Sequence, residues 1–345
     1  MLSAVQFEKL LNAIYKTYSV SNNVEITFEG EPQSLLNDEL LSTLNRNNVC
    51  RVSFGLQTFD TRLRDLLGRT DTINDITNLF ELLSKYSFKE INIDYLYNLP
   101  NTDVKFIEKE FSLIKSLNPS SIDCHPLKYI SCSGSLLQNI VDNDMTLPSS
   151  ELRIDMFNYI RDYLISNNYK EQYADQYSIY PKSETNQYMR NLYGLDGGEY
   201  LGVGPGSRSH IGDFGFTKVQ NLDIYFSEIA QESYAIQRIT TAPLVDNYIT
   251  CFPKRNDSLF FSDIEKSESS SFFLKQLDML CQEGYVIKNK QFYSLTSLGL
   301  SWYQNLQEFL LSPLQRSKHL ENVTARKQKF EKFGNYFENL GEVLC

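Results

Sequence analysis

The sequence predicts an α/β fold, a parallel sheet or open barrel flanked by helices, followed by a smaller helical region. Three observations carry this. Short apolar runs alternate with helix-periodic runs through the first half. The connections between the apolar runs are long enough for right-handed crossovers, which link parallel strands almost without exception. From about residue 217 the alternation stops and the pattern becomes helix, turn, hairpin, helix.

Each element follows from its residues. Val5, Leu10, Leu11 and Ile14 mark a helix over 5–17. Val24–Glu31 reads as a first strand, ended by Pro32, and Asp38–Asn45 as a helix. Val49–Gln57 is a second strand, with helices near 60–68 and 72–86 behind it. Glu90–Tyr97 is a third strand, stopped by Asn98, Leu99 and Pro100. A helix over 103–116 leads into a fourth strand, Ser121–Tyr129. A helix over 150–167 and a strand over Tyr169–Tyr177 follow, then a turn-rich stretch at 200–215. Residues 271–300 have the outline of a winged-helix-like module, and the mixed-charge tail 313–345 reads as helical.

Composition sets the class. The chain has 345 residues, 41% hydrophobic and 22% charged, as expected for a globular protein of two or three domains. A net charge of -10 argues against a duplex nucleic-acid binder, which presents a basic face. No run approaches the roughly 18 apolar residues of a membrane span. The charged, helix-periodic N-terminus is no secretory signal, so a cytoplasmic protein without a membrane partner is expected. The sequence leaves the oligomeric state open. Six cysteines are scattered, and none forms a C-x-x-C pair, so no zinc or dithiol motif is present and no metal site is assigned.

In parallel sheets and barrels, ligands gather at the carboxyl ends of strands. Those ends carry Glu29 with Glu31, Gln57, Asp94, and Cys124 with His125, while Arg69 follows Gly68. Acids suit an ammonium or ribose hydroxyls, and a guanidinium suits a carboxylate. Taken singly, each is a common cap or turn former. As a set at successive strand ends, they point to one ligand site.

The runs GEP, VSFGLQTFD, LLGR, NIDYLYNLP and LGVGPGSRS, in this order, resemble the radical S-adenosylmethionine enzymes of the oxygen-independent coproporphyrinogen III oxidase type. That group includes haem chaperones, anaerobic haem-degrading enzymes and class C methyltransferases. The resemblance spans about residues 3–230. It implies a truncated radical-enzyme β/α partial barrel with the family's extension over 1–230, and a helical, winged-helix-like domain over 231–345. It also implies S-adenosylmethionine contacts at Glu29, Gln57, Arg69 and Asp94, with an apolar adenosine contact at Leu96. Gly202 and Gly204 match the family's glycine-rich segment, and Ile211 falls near a further apolar cofactor contact.

The chain departs from the family in its metal chemistry. The family holds a [4Fe–4S] cluster on C-x-x-x-C-x-x-C, and the cluster cleaves S-adenosylmethionine to a 5′-deoxyadenosyl radical. Neither that motif nor the G-G-G-T-P segment is present, and Asn98 stands where the family prefers Gly. The chain is expected to be either a fragment lacking the first two β/α units or a degenerate relative. A cluster built on Cys50, Cys124 and Cys132 has the wrong spacing. The family activity would be oxidative decarboxylation, methyl transfer or haem handling on a tetrapyrrole. Without cluster ligands this chain is expected not to perform it. The alternative is a non-catalytic, haem-chaperone-like binder of haem or of a partner protein, with His125 the candidate haem ligand.

Overall fold

A computed structural model describes residues 2–184, 187–194, 199–241 and 243–316. The described residues form two compact units, one up to residue 184 and the other from residue 187 on.

The first unit contains α1 (Ala4–Thr17), β1 (Thr27–Gly30), α2 (Pro32–Leu35), α3 (Asp38–Arg46) and β2 (Arg51–Gln57). It continues with α4 (Thr61–Leu66), α5 (Ile73–Leu83), β3 (Glu90–Tyr97), α6 (Val104–Leu117) and β4 (Ser121–Pro126). Helices α7 (Gly134–Asp142) and α8 (Ser150–Ser166) and strands β5 (Lys170–Tyr173) and β6 (Gln176–Ser178) complete it. Most of these helices begin at a side chain that accepts a first-turn N–H: Asn37, Asp60, Thr72, Asp103, Ser133 and Ser149.

The strands form one sheet in the order β1-β2-β3-β4-β6-β5. β1 to β4 pair in parallel, as expected. β6 pairs antiparallel with both β4 and β5. The single strand expected over Tyr169–Tyr177 is therefore a hairpin, reversed at Ala174 and Asp175. β4 stops at Pro126 and Tyr129 lies in a 3-10 turn, so the fourth strand is shorter than read from sequence. Proline lacks the N–H that a ladder would need.

The two faces of this sheet differ. Val52, Phe54, Leu56, Ile93, Tyr95, Ile122 and Cys124 are buried on the apolar face. Helical aromatic rings pack edge-on against it, Phe54 to Phe80 at 5.6 Å and Tyr95 to Phe111 at 5.1 Å between centroids. By strand alternation the other face carries Arg51, Ser53, Glu90, Asn92, Asp94, Ser121, Asp123, His125 and Gln176. Burying so many polar groups stabilises nothing by itself and is costly unless they are partnered.

The second unit starts with α9 (Gln187–Tyr193) and an antiparallel sheet of β7 (Arg208–Ile211), β8 (Phe214–Lys218) and β9 (Ile236–Thr241), with α10 (Leu222–Ala230) between β8 and β9. The stretch read as turn-rich at 200–215 also contains β7 and the start of β8. Next come α11 (Leu244–Thr250), α12 (Phe252–Arg255), β10 (Leu259–Phe260) and α13 (Phe261–Ile264). Helix α14 (Ser270–Gln282), β11 (Val286–Lys288), β12 (Phe292–Leu295), α15 (Ser297–Ser301) and α16 (Tyr303–Phe309) follow. They enclose a core of Ile249, Phe252, Leu259, Phe273, Leu277 and Tyr293. Gly284, at φ +77°, makes the turn expected after the helix. From residue 317 on, the expected tail helix lies outside the described residues. Among those described, no helix is long and apolar enough to cross a membrane.

Candidate functional site

The site is built first from the end of β2. The ladder between β2 and β3 shifts register between Gly55 and Gln57, and Gln57 adopts φ +65°. This left-handed residue folds its side chain back over Gly55. A Cβ on Gly55 would lie 2.2 Å from Nε2 of Gln57 and 3.5 Å from Nη1 of Arg69. Gly55 therefore makes room for an amide and a guanidinium at one strand end.

Arg69 is fixed from three sides. Its Nη2 donates to the Gly55 carbonyl at 2.9 Å and lies 2.6 Å from Oε2 of Glu31. Its Nε donates to Oδ1 of Asp71 at 3.1 Å. Asp71 is in turn held by buried Arg64, which also donates to the carbonyls of Leu56 at 2.6 Å and Thr58 at 2.8 Å. Arg64 thereby clamps the turn that follows β2. The carboxylate that Arg69 meets is supplied by the chain itself, from Glu31 and Asp71.

The second part is the polar face. Arg51 Nε donates to Glu90 at 3.2 Å, and its Nη2 lies 3.6 Å from Asp123. Asn92 Nδ2 donates to Ser53 Oγ at 2.9 Å and to Asp94 Oδ1 at 3.0 Å. Gln176 Nε2 donates to Asp123 Oδ2 at 3.3 Å, and His125 Nδ1 lies 3.3 Å from Asp175 Oδ2. Ligand atoms of Asp94, Asp123 and His125 all lie within 4.8 Å of one another. Burial pushes the Asp123 carboxyl up to about 7, opposed by the Arg51 guanidinium and reinforced by the Asp94 charge. Burial likewise raises Asp94; His125 opposes the rise and Glu29 adds to it.

Of the residues read from sequence, Glu29, Gln57, Asp94 and Leu96 belong to strands of this sheet, and Arg69, in the loop after α4, reaches it at the Gly55 carbonyl. Gly55, beneath Gln57 and Arg69, pairs in register with Asp94, and Leu96 pairs with His125. Glu29 is exposed, in register with Ser53. Gly202, Gly204 and Ile211 lie in the second unit. Gly202 packs on the Arg208 backbone and donates to Ser209 Oγ at 2.9 Å, Gly204 takes φ +102°, and Ile211 is an exposed residue of β7. Asn98, where the family prefers Gly, sits at φ +61°, a left-handed position that Asn tolerates. Sequence reasoning missed Arg51, Asn92, Asp123, Asp71 and Gln176. The available signal was the alternation R-x-S, E-x-N-x-D and S-x-D-x-H within strands otherwise read for their apolar residues.

Cys50, Cys124 and Cys132 do not fit an iron–sulfur cluster. Cys124 is buried on the opposite, apolar face, and Cys132 belongs to a separate cluster with Tyr129, Leu137 and Ile140. Cys50 donates its thiol to the Ile26 carbonyl at 3.4 Å. Burial pushes the Cys132 thiol up to about 11 and raises Cys124 and Cys50 as well, the reverse of what a thiolate ligand needs. Among the described residues, the one group of three metal-ligating side chains is Asp94, Asp123 and His125, which contains no cysteine.

No family model matches the chain. Its relatives include the heme chaperone HemW of Lactococcus lactis, 24% identical over 320 residues that cover 91% of this chain and 83% of that protein. The oxygen-independent coproporphyrinogen III oxidase of Escherichia coli is 21% identical over 322 residues, covering 88% of this chain and 70% of that protein. Among solved structures, coproporphyrinogen III oxidase (HemN) from Escherichia coli, described as a radical SAM enzyme, superposes with a TM-score of 0.74 at 21% identity. That superposition covers 90% of this chain and 75% of that one. The fold is therefore of the HemN radical SAM kind, with mixed α/β content. Together the relatives and this neighbour support a radical SAM, coproporphyrinogen oxidase-like family for the chain.

Proposed function

We propose that the chain is a haem-chaperone-like member of this group. In this reading it binds haem or a related tetrapyrrole, and its described residues supply no iron–sulfur chemistry. The observation that carries the reading is the split between the two parts of the site. Glu29, Gln57 and Asp94 stand on one sheet with Arg69 bonded to it at Gly55, while the thiols of Cys124 and Cys132 are buried away from them and held protonated. The strand-end set offers acids for an ammonium or sulfonium, an amide, and hydroxyl acceptors, so S-adenosylmethionine fits it by donor type. Leu96, on the same strand as Asp94, would supply an apolar contact to the adenosine. Arg69, already engaged by Glu31 and Asp71, acts in this reading as a positioning group for Gln57. The six-stranded sheet is read as an arc of the family barrel, and α14 to α15 as its winged-helix-like module, within the expected domains 1–230 and 231–345.

Relatives named heme chaperone HemW support haem as the ligand. Coproporphyrinogen oxidation, the activity in the names of other relatives, is disfavoured by the thiols. His125 is not needed as the iron ligand. Its neighbours are Asp94, Asp123 and Asp175, whose negative charge fits a cation better than a porphyrin face. Haem titration followed in the Soret region tests the reading. A saturable one-to-one spectral change is expected, and His125→Ala is expected to leave it unaltered. No change in the wild-type titration would overturn the proposal.

A further inference from the structure

Asn92, Ser121 and Gln176 have at most 6% of their surface exposed, and each keeps a polar atom without a hydrogen-bond partner among the described residues. These atoms are Asn92 Oδ1, Ser121 Oγ and Gln176 Oε1. All three residues stand on the polar face. Asn92 and Gln176 have their amide nitrogens committed to the carboxylates of Asp94 and Asp123. Swapping oxygen for nitrogen in either amide would trade those bonds for repulsion between an amide oxygen and a carboxylate. A buried amide oxygen left unpaired costs about 1–3 kcal/mol, so two such oxygens beside two carboxylates ask for a partner.

A cation satisfies carboxylates and amide oxygens at once. We propose that Asp94, Asp123 and His125 bind one hard divalent cation of the Mn²⁺ or Mg²⁺ class, with Asn92 and Gln176, whose amide nitrogens already bond to Asp94 and Asp123, offering their oxygens as further ligands. Oxygen-rich sets of this kind suit such ions, and the single imidazole favours Mn²⁺. Two ligands at about 2.1–2.3 Å from a metal stand at most about 4.6 Å apart, and three around one ion stand closer than that. The present atoms, all within 4.8 Å of one another, would therefore close on the ion when it binds. The charges agree. Arg51 is shared between Glu90 and Asp123, and Glu29 adds negative charge near Asp94. This inference goes beyond the haem reading, because it requires neither haem nor S-adenosylmethionine.

The test uses the full chain, stripped with chelator and titrated with Mn²⁺ alone. Loss of the free-ion electron paramagnetic resonance signal reports binding, and Mn²⁺ avoids the thiols that would capture a softer metal. One Mn²⁺ per chain is expected, with affinity at least tenfold weaker in Asp123→Asn. His125→Asn should weaken binding too, and this half-exposed site guards against a variant that fails to fold. The melting temperature should rise with Mn²⁺ in the wild type and rise less in both variants. Absence of wild-type binding, or equal binding in the folded variants, would overturn the site. Neither outcome bears on the haem titration.

Discussion

Arg69 donates from Nε to Oδ1 of Asp71 at 3.1 Å, while the other carboxylate oxygen of Asp71 is held by buried Arg64. One carboxylate thus secures two guanidiniums, one that pins the turn after β2 and one that borders Gln57. Structural support and site geometry share a single residue.

Asp71→Ala should therefore destabilise the first unit strongly. It leaves Arg64, with 3% of its side chain exposed, without its carboxylate. Breaking a buried pair from one side costs on the order of 3 kcal/mol. Urea unfolding measures this, and a loss below about 1 kcal/mol would show that the backbone carbonyls alone satisfy Arg64.

Gly55→Ala separates site geometry from stability. The new methyl would meet the end of the Gln57 side chain, which can swing away, so the stability change should stay within about 1 kcal/mol. If Gln57 contacts S-adenosylmethionine as proposed, displacing it should instead weaken that binding about tenfold, the equivalent of one lost hydrogen bond to a charged group. Equilibrium dialysis decides. Unchanged affinity would remove Gln57 from the ligand.

The fold was legible where local signals were strong. β3 lies at Glu90–Tyr97 as read, since a β-branched and aromatic run meets Asn98, Leu99 and Pro100. The β5–β6 hairpin was not legible, because its Ala174–Asp175 turn carries no Gly or Asn. Within the site, Gln57 and Arg69 were marked by the glycines beside them. The polar face was hidden for another reason. Its bonds join residues far apart in the chain, Arg51 to Glu90 across 39 positions and Asp123 to Gln176 across 53. Only the strand register brings them together, and the antiparallel return of β6 could not be foreseen.

Anaerobic reconstitution with ferrous iron and sulfide should yield no cluster on this chain. Cys124 and Cys132 are buried and their thiols are held protonated. Thiolate ligation is the requirement for a [4Fe–4S] centre. Iron analysis and the visible spectrum check this. A broad charge-transfer band together with about four irons per chain would contradict it.

Glu110 gives the fold a pH dependence whose sign is fixed by its surroundings. Its carboxyl is buried on α6 and accepts from Thr58 Oγ1 and from the Phe59 N–H, each at 2.9 Å. Burial pushes its pKa from 4.5 up to about 7, and the two hydrogen bonds only partly oppose the rise. The folded state therefore holds a proton that the unfolded chain releases near 4.5. The resulting stabilisation is complete below that pH and is lost as pH rises through about 7. The swing is at most about 3 kcal/mol. Glu110→Gln keeps a neutral acceptor at every pH, so the variant should gain on the wild type between pH 4.5 and 7 by up to that amount. Urea unfolding of both proteins across this range checks it, and a difference independent of pH would show that Glu110 is ionised in the folded state throughout.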